Sequence, residues 1–213
     1  MSFDVICFDC DSTLSKIEGI DELAGRVGRG EEMSKLTDAA MNGELPLEAI
    51  YEQRLSLIRP DRDSINWLAD LYIEQIVDGV KEVFETLAVQ NKELHIVSGG
   101  LRQAILPLAS YLGLPERRVH AVDIYFNQDG SYRDYDHESP LARSGGKAEI
   151  CRSLLKAQGS LVMVGDGKTD MEAKQAGAFV IGFGGVVDRQ IVREQADVYS
   201  VEPTLVSILA HIL

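Results

Sequence analysis

Short apolar runs and helical stripes alternate along most of the chain. Residues 3–8 are apolar apart from Asp4 and carry Val5 and Ile6, which suits a strand buried on both faces in a parallel sheet; the run ends in charge at Asp9. Similar runs recur at 94–97, 119–124, 161–164, 179–182 and 198–201. Leu101, Ile105, Leu108, Ala109 and Leu112 fall at helical spacing, and Ile150, Cys151, Leu154 and Leu155 form a second stripe before Gly159. Strand then helix, repeated, predicts an α/β fold built on a doubly wound parallel sheet.

Between about Ser15 and Asp78 the strand signal disappears, and the text reads as helices at 20–27, 31–41, 47–57 and 65–76. The prediction is a helical insertion over 15–77 after the first strand, with 1–14 and 78–213 forming the core. Pro46 stands near the start of one of these helices and Pro60 just past its end, as helix boundaries prefer. In 121–135 the cluster Asn127, Gln128, Asp129 and Gly130 separates two β-type runs and predicts a hairpin. With no repeat and no long Pro/Ser linker, the insertion is expected to pack on the core.

Composition narrows the class. A chain of 213 residues, 45% hydrophobic and 26% charged, is an ordinary globular protein able to bury roughly 70% of its unfolded surface. Against 34 Asp and Glu stand 21 Lys and Arg, a net charge of −13 that repels nucleic-acid backbones and anionic lipid. Neither partner is expected, and whether the chain is a monomer or a homodimer stays open. No stretch approaches about 18 consecutive apolar residues, and the acidic start has no basic targeting region, so a cytoplasmic location is expected. Cys7, Cys10 and Cys151 are odd in number and lack zinc spacing, and read as small core residues. The four histidines are scattered with no ligand-like pair.

In a doubly wound sheet, ligands bind beyond the carboxyl ends of the strands, so polar residues there carry the functional information. Four such places are polar together: Asp9, Cys10, Asp11, Ser12 and Thr13; Ser98, Gly99 and Gly100; Lys147 after Gly145 and Gly146; and Gly165, Asp166, Gly167, Lys168, Thr169 and Asp170. In extended backbone Asp9 and Asp11 would leave one face with Cα atoms about 6.5 to 7 Å apart. If Asp166 and Asp170 join them, four carboxylates surround one lysine and call for a cation; oxygen-only donors with room for water suit Mg²⁺. The Ser98 hydroxyl, the N–H groups of Gly99 and Gly100, a helix start near Leu101, and Lys147 suit a phosphoryl dianion. One carboxylate, Asp9, could attack phosphorus while Asp11 shuttles the proton. No P-loop or dinucleotide fingerprint is complete, so neither NTP nor NAD is implied.

The segments FDCDST, VSGG, SGGK and VGDGKTDMEA resemble, in this order, the four motifs of the haloacid dehalogenase-type phosphatases. Over nearly its whole length the chain is similar to members acting on O-phospho-L-serine, through EGIDELA from Glu18, QRLSLI around Arg54 and GFGG from Gly182. The resemblance implies a Rossmann-like core, a small helical cap over 15–77, Mg²⁺, and hydrolysis of phosphoserine to serine and phosphate, the closing step of serine biosynthesis. It implies that Asp9 is the nucleophile and Asp11 the acid and base. Asp9, the Asp11 carbonyl and Asp166 would hold the metal, and Asp170 would orient its shell. Ser98, Gly99, Gly100 and Lys147 would grip the phosphoryl group with Thr169 nearby, while Glu18 and Arg54 would meet the amino and carboxylate groups of the serine. The sequence departs from the pattern at Leu47, where many members carry phenylalanine, at Cys10, where a bulkier residue is common, and at Thr169, often asparagine. Two other readings compete: a phosphatase or phosphotransferase for another small phosphomonoester, and a phospho-accepting switch. Asp11 opposes the switch, because a base beside the nucleophile shortens the life of an acyl phosphate.

Overall fold

In the computed structural model, which describes residues 3–157 and 159–213, strand β1 (Val5–Phe8) is followed by four helices, α1 (Gly19–Arg26), α2 (Gly30–Met41), α3 (Leu47–Ile58) and α4 (Arg62–Glu74). Helix α5 (Val80–Val89) leads to β2 (Glu93–Leu101), α6 (Arg102–Tyr111) and β3 (Val119–Val122). The short strands β4 (Ile124–Phe126) and β5 (Tyr132–Tyr135) precede α7 (Gly146–Ala157), β6 (Leu161–Gly165), α8 (Lys168–Met171), β7 (Phe179–Phe183), α9 (Gln190–Gln195) and β8 (Val198–Ser200).

Six strands form one sheet in the order β3-β2-β1-β6-β7-β8, every neighbouring pair parallel. Central β1 sets Ile6 opposite Leu94 on one side and Val162 on the other. All residues of β1 and β6 are buried, which is why both read as unbroken apolar runs. From β1 the chain adds β2 and β3 to one side and then crosses back to lay β6, β7 and β8 on the other. The strand order therefore reverses between β1 and β6, and the crevice beyond their carboxyl ends is where this α/β, Rossmann-like architecture binds ligands.

The helical insertion leaves and returns through one narrow gate. Ser15 bridges Ile76 in antiparallel sense, the Lys16 N–H donates to the Gln75 carbonyl at 2.8 Å, and the Val77 N–H to the Leu14 carbonyl at 2.9 Å. Within the insertion α4 starts on Asp61, whose carboxylate accepts the Ser64 N–H, and α3 stops at Arg59 in left-handed conformation just before Pro60. The antiparallel pair β4–β5 props the insertion from the core side. Its Gly130 carbonyl accepts the Arg62 N–H at 2.9 Å, and the Tyr135 and Tyr51 rings lie 5.2 Å apart.

The structure departs from the predicted elements in three places. The run 119–124 is two strands, because Asp123 leaves the sheet to accept from Gln103, which also accepts the Ile124 N–H. Strand β2 continues past Val97 to Leu101, with a register shift against β3, so Ser98, Gly99 and Gly100 ride an irregular strand end. The fourth helix of the insertion covers Arg62–Glu74, earlier than 65–76. Helix α5 is an element beyond those predicted from the pattern. None of the described helices is long and apolar enough to cross a membrane.

Candidate active site

At the point of reversal the β1–β6 ladder runs one residue past the strand: the Asp9 N–H donates to the Val164 carbonyl at 2.9 Å. The chain then turns sharply. The Cys10 carbonyl collects the N–H groups of Thr13, Leu14 and Ser15 at 3.4, 2.9 and 3.1 Å, and Ser12 takes a φ of 51°. Extended backbone therefore does not reach Asp11, and the spacing argument for Asp9 and Asp11 gives way to a turn that aims the two carboxyls separately.

Asp9, Asp166 and Asp170 each bring a carboxylate oxygen within 4.8 Å of the others. Asp166 follows β6, and Asp170 lies in the first turn of α8, where its Oδ2 accepts the Gly167 N–H at 3.0 Å. Glycine is required at 165, since a Cβ there would stand 2.0 Å from the Asp170 carboxyl carbon. Lys147, in the first turn of α7, reaches Asp170 Oδ1 at 2.6 Å and Asp9 Oδ2 at 2.9 Å. Asp166 takes the Thr13 hydroxyl on Oδ1 at 3.3 Å and Arg189 Nε on Oδ2 at 3.4 Å. Burial pushes the Asp166 and Asp170 carboxyls above the usual range, and the charge of Asp9 adds to it, while Arg189 and Lys147 oppose it. Burial by itself would push Lys147 down, but Asp170 and Asp9 outweigh it and the ammonium keeps its proton. A buried set of oxygen donors with surplus negative charge fits a hard divalent cation.

The Asp11 carboxyl stands outside that cluster. Its Oδ1 accepts the Gly19 N–H and the Tyr72 hydroxyl, each at 2.7 Å. Burial raises it, Asp9 raises it further, and these two bonds lower it. Ser98 Oγ accepts the Gly100 N–H at 3.0 Å, a bond that occupies a lone pair and not the hydroxyl hydrogen. The Gly99 carbonyl accepts the Tyr51 hydroxyl at 2.9 Å, tying α3 to the end of β2.

A pocket joins this floor to the insertion. Asp9, Gly99, Gly100, Lys147 and Thr169 line it from the core, and Glu18, Met41, Leu47, Tyr51 and Arg54 from the helical side. Met41 of α2 faces the pocket, whereas Met33 of the same helix is fully buried. Glu18 accepts the Ser12 hydroxyl at 2.7 Å, and burial pushes its carboxyl well up, with Asp11 and Asp166 adding to the effect. Arg54 is buried and donates from Nη1 to Thr37 Oγ1 at 3.3 Å; its Nε has no partner, the one such buried side-chain atom among the described residues. A buried guanidinium with an idle donor at a pocket wall is built to receive an anion.

The structure thus brings together Asp9, Lys147, Asp166 and Asp170, and places Glu18, Arg54, Gly99, Gly100 and Thr169 around the adjoining pocket. Tyr51, Tyr72 and Arg189 belong to the site without a motif that marks them in the sequence. Tyr72 falls on the apolar stripe of α4 with Ile65, Leu68 and Ala69, and only its hydroxyl sets it apart. Arg189 lies between β7 and α9 in a segment with no periodic signal.

A sequence model of the haloacid dehalogenase-like hydrolases matches residues 3–177. Among curated proteins, phosphoserine phosphatase of Bos taurus is 40% identical over 201 residues, 93% of this chain and 89% of the bovine protein. The Homo sapiens phosphoserine phosphatase is 38% identical over the same shares of both chains. Among solved structures, a substrate-bound phosphoserine phosphatase complex superposes with a TM-score of 0.85 at 28% identity, covering 100% of both chains. A phospho-aspartyl intermediate analogue of phosphoserine phosphatase does so with 0.82, also at 28% identity and with 100% of both chains covered.

Proposed function

The chain belongs to the haloacid dehalogenase-like hydrolases, and on that premise we propose that it hydrolyses O-phospho-L-serine to L-serine and phosphate through an aspartyl-phosphate on Asp9. The single observation that carries the substrate assignment is that Arg54, with its idle buried Nε, and Glu18 line the same pocket as Asp9 and Lys147. Phosphoserine offers one carboxylate and one ammonium beside its phosphate, and Arg and Glu complement both. The names of the bovine and human relatives agree with this reading.

In the first step an Asp9 carboxylate oxygen bonds to phosphorus as the bond from phosphorus to the serine oxygen breaks, and Asp11 gives its proton to that oxygen. In the second, Asp11 takes a proton from water, the water oxygen bonds to phosphorus, and the bond to Asp9 breaks to release phosphate. Burial, which raises the Asp11 carboxyl, suits it to holding a proton before the first step. Lys147 sits on Asp9 and supplies a fixed positive charge beside the phosphoryl group, with Gly99, Gly100, the Ser98 hydroxyl and Thr169 completing its surround. Mg²⁺ is the cation proposed for Asp9, Asp166 and the Asp11 carbonyl, with Asp170 behind them; when bound it offsets the crowded carboxylates and draws charge from the phosphoryl oxygens. Residues 15–77 act as a cap over the core of 1–14 and 78–213, closing on substrate to exclude bulk water. The partner is a small molecule, with no nucleic acid or membrane involved, for a cytoplasmic enzyme that is a monomer or homodimer.

The test is inorganic phosphate release with Mg²⁺ across L-phosphoserine, phosphothreonine, small sugar phosphates and a nucleotide monophosphate, with Asp9→Asn as the blank. A strong preference for L-phosphoserine that vanishes in the blank is expected. Activity without preference would remove the Glu18 and Arg54 assignment and keep the chemistry.

A further inference from the structure

We propose that Tyr72 is a positioning residue for Asp11: its hydroxyl holds one carboxyl oxygen so that the other alone handles the proton. The inference rests on Asp11 being the acid and base of the reaction proposed above.

Two donors converge on Asp11 Oδ1, the Gly19 N–H and the Tyr72 hydroxyl, both at 2.7 Å. A carboxylate oxygen accepting two such bonds has used its in-plane lone pairs and offers no place for a proton. Asp11 Oδ2 lies on the other side, facing Gly100, where a Cβ would stand 3.0 Å from it. The chain clears space on both flanks of the carboxyl, because a Cβ on Gly19 would come within 2.0 Å of the Tyr72 hydroxyl oxygen. Neither glycine is in left-handed conformation, so close approach is what calls for them.

Tyr72 is also anchored to the loop it serves. It lies in the last turn of α4, and the residues directly after that helix are tied to the loop after β1 by the Lys16 to Gln75 and Val77 to Leu14 bonds. The hydroxyl is therefore carried by a stretch fastened to the one that carries Asp11. With Oδ1 held, the proton leaves from Oδ2 toward the serine oxygen in the first step and returns to Oδ2 from water in the second. Without the hydroxyl, one N–H remains on Oδ1 and the carboxyl can rotate or place its proton on the wrong oxygen.

The test is Tyr72→Phe in the full chain with Mg²⁺, compared with the parent on O-phospho-L-serine and on p-nitrophenyl phosphate. The expected result is a fall of about tenfold in kcat on phosphoserine, a small part of what acid–base catalysis contributes, with KM changed less than about twofold. On the aryl phosphate, whose leaving group departs without a proton, a burst of one p-nitrophenol per enzyme followed by slow turnover is expected, since only the water step needs the aligned base. Unchanged kcat and no burst would overturn the proposal, and so would kcat and KM moving together with a large drop in melting temperature. Gly19→Ala, which displaces the same hydroxyl, must reproduce the split between kcat and KM, and it decides the matter if Tyr72→Phe fails to fold. Asp11→Asn separates the two readings. If it leaves both steps intact, the acid–base role of Asp11 falls; if it abolishes them while Tyr72→Phe matches the parent, only the role of Tyr72 falls.

Discussion

Arg189 and Asp166 form a buried ion pair, with Nε 3.4 Å from Oδ2, and the same guanidinium reaches Asp38 at 3.0 Å and Glu18 at 3.9 Å. A single cation from the segment after β7 thus answers a carboxylate at the sheet and two from the helical insertion. Asp166 also lies within 4.8 Å of the Asp9 carboxylate, so the guanidinium takes up part of the charge that a divalent cation would otherwise neutralise.

Arg189→Ala should therefore destabilise the metal-free protein more than the metal-bound one. Breaking a buried pair costs about 3 kcal/mol, which for a chain of this length lowers the melting temperature by roughly 6 to 12 °C. Saturating Mg²⁺ should recover much of that loss. Thermal melts with chelator and across a Mg²⁺ titration read the difference, and equal losses in both conditions would show that Arg189 acts only through Asp38 and Glu18.

Asp9→Asn should do the opposite to stability. The charge of Asp9 helps raise Asp11, Asp166 and Asp170, and Lys147 keeps Asp170 as a partner when Asp9 is neutral. Removing one of the crowded carboxylates should raise the metal-free melting temperature by about 2 to 4 °C, equivalent to about 1 kcal/mol, while phosphate release disappears. The stabilisation that Mg²⁺ gives the parent should shrink in the same variant. A melting temperature lower than the parent's in chelator would mean that the Lys147 contact outweighs the repulsion.

The strands that frame this site were legible because β1 and β6 are buried on both faces and write themselves as apolar runs, with Asp9 and Asp166 as the first charges after them. Lys147 and Asp170 were legible from the glycine turns that precede them. What the pattern could not carry was partnership across the fold. Arg189 finds Asp38 151 positions away, and Tyr72 finds Asp11 61 positions away, so neither has a local signature. The turn after β1 was hidden for another reason: three amides gather on the Cys10 carbonyl, and an Asp-x-Asp text reads equally well as extended chain. Helix α5, by contrast, is legible in principle, since its apolar face, Val80, Val83, Phe84 and Leu87, has helical spacing.

Selectivity should divide between Arg54 and Glu18. Arg54→Ala removes the idle donor meant for the serine carboxylate, so kcat/KM on phosphoserine should fall about 10- to 100-fold, in line with about 1.5 to 3 kcal/mol for a charged hydrogen bond. Phosphoethanolamine, which lacks that carboxylate, should be hydrolysed almost as well by the variant as by the parent. Glu18→Gln should show the converse, with phosphoserine weakened and a three-carbon hydroxy-acid phosphate lacking the amino group little changed. Equal losses on all substrates would mean that both residues only shape the pocket.

Far from the site, a pair of histidines on the neighbouring strands β2 and β3 should make stability depend on pH. His95 Nδ1 and His120 Nε2 lie 3.0 Å apart, and His95 Nε2 is 3.1 Å from Glu93 Oε1. Burial pushes His120 down to about 4, with His95 and Arg102 adding to the effect, and burial lowers His95 as well. Above about pH 6.5 both the folded and unfolded chains hold His120 neutral, and it contributes no slope. As pH falls from about 6.5 towards 4 the unfolded chain takes up a proton that the folded one refuses, so stability drops through that window. The crowded carboxylates of the active site give the opposite slope over the same range, which makes the difference between parent and variant the quantity to measure. His120→Gln keeps a hydrogen-bonding group beside His95 and removes the titration. Urea unfolding at pH 7.5 and 4.5 should show the parent losing about 1 to 2 kcal/mol more than the variant on acidification. Parallel curves would mean that the folded protein accepts the proton on His120 as readily as the unfolded chain does.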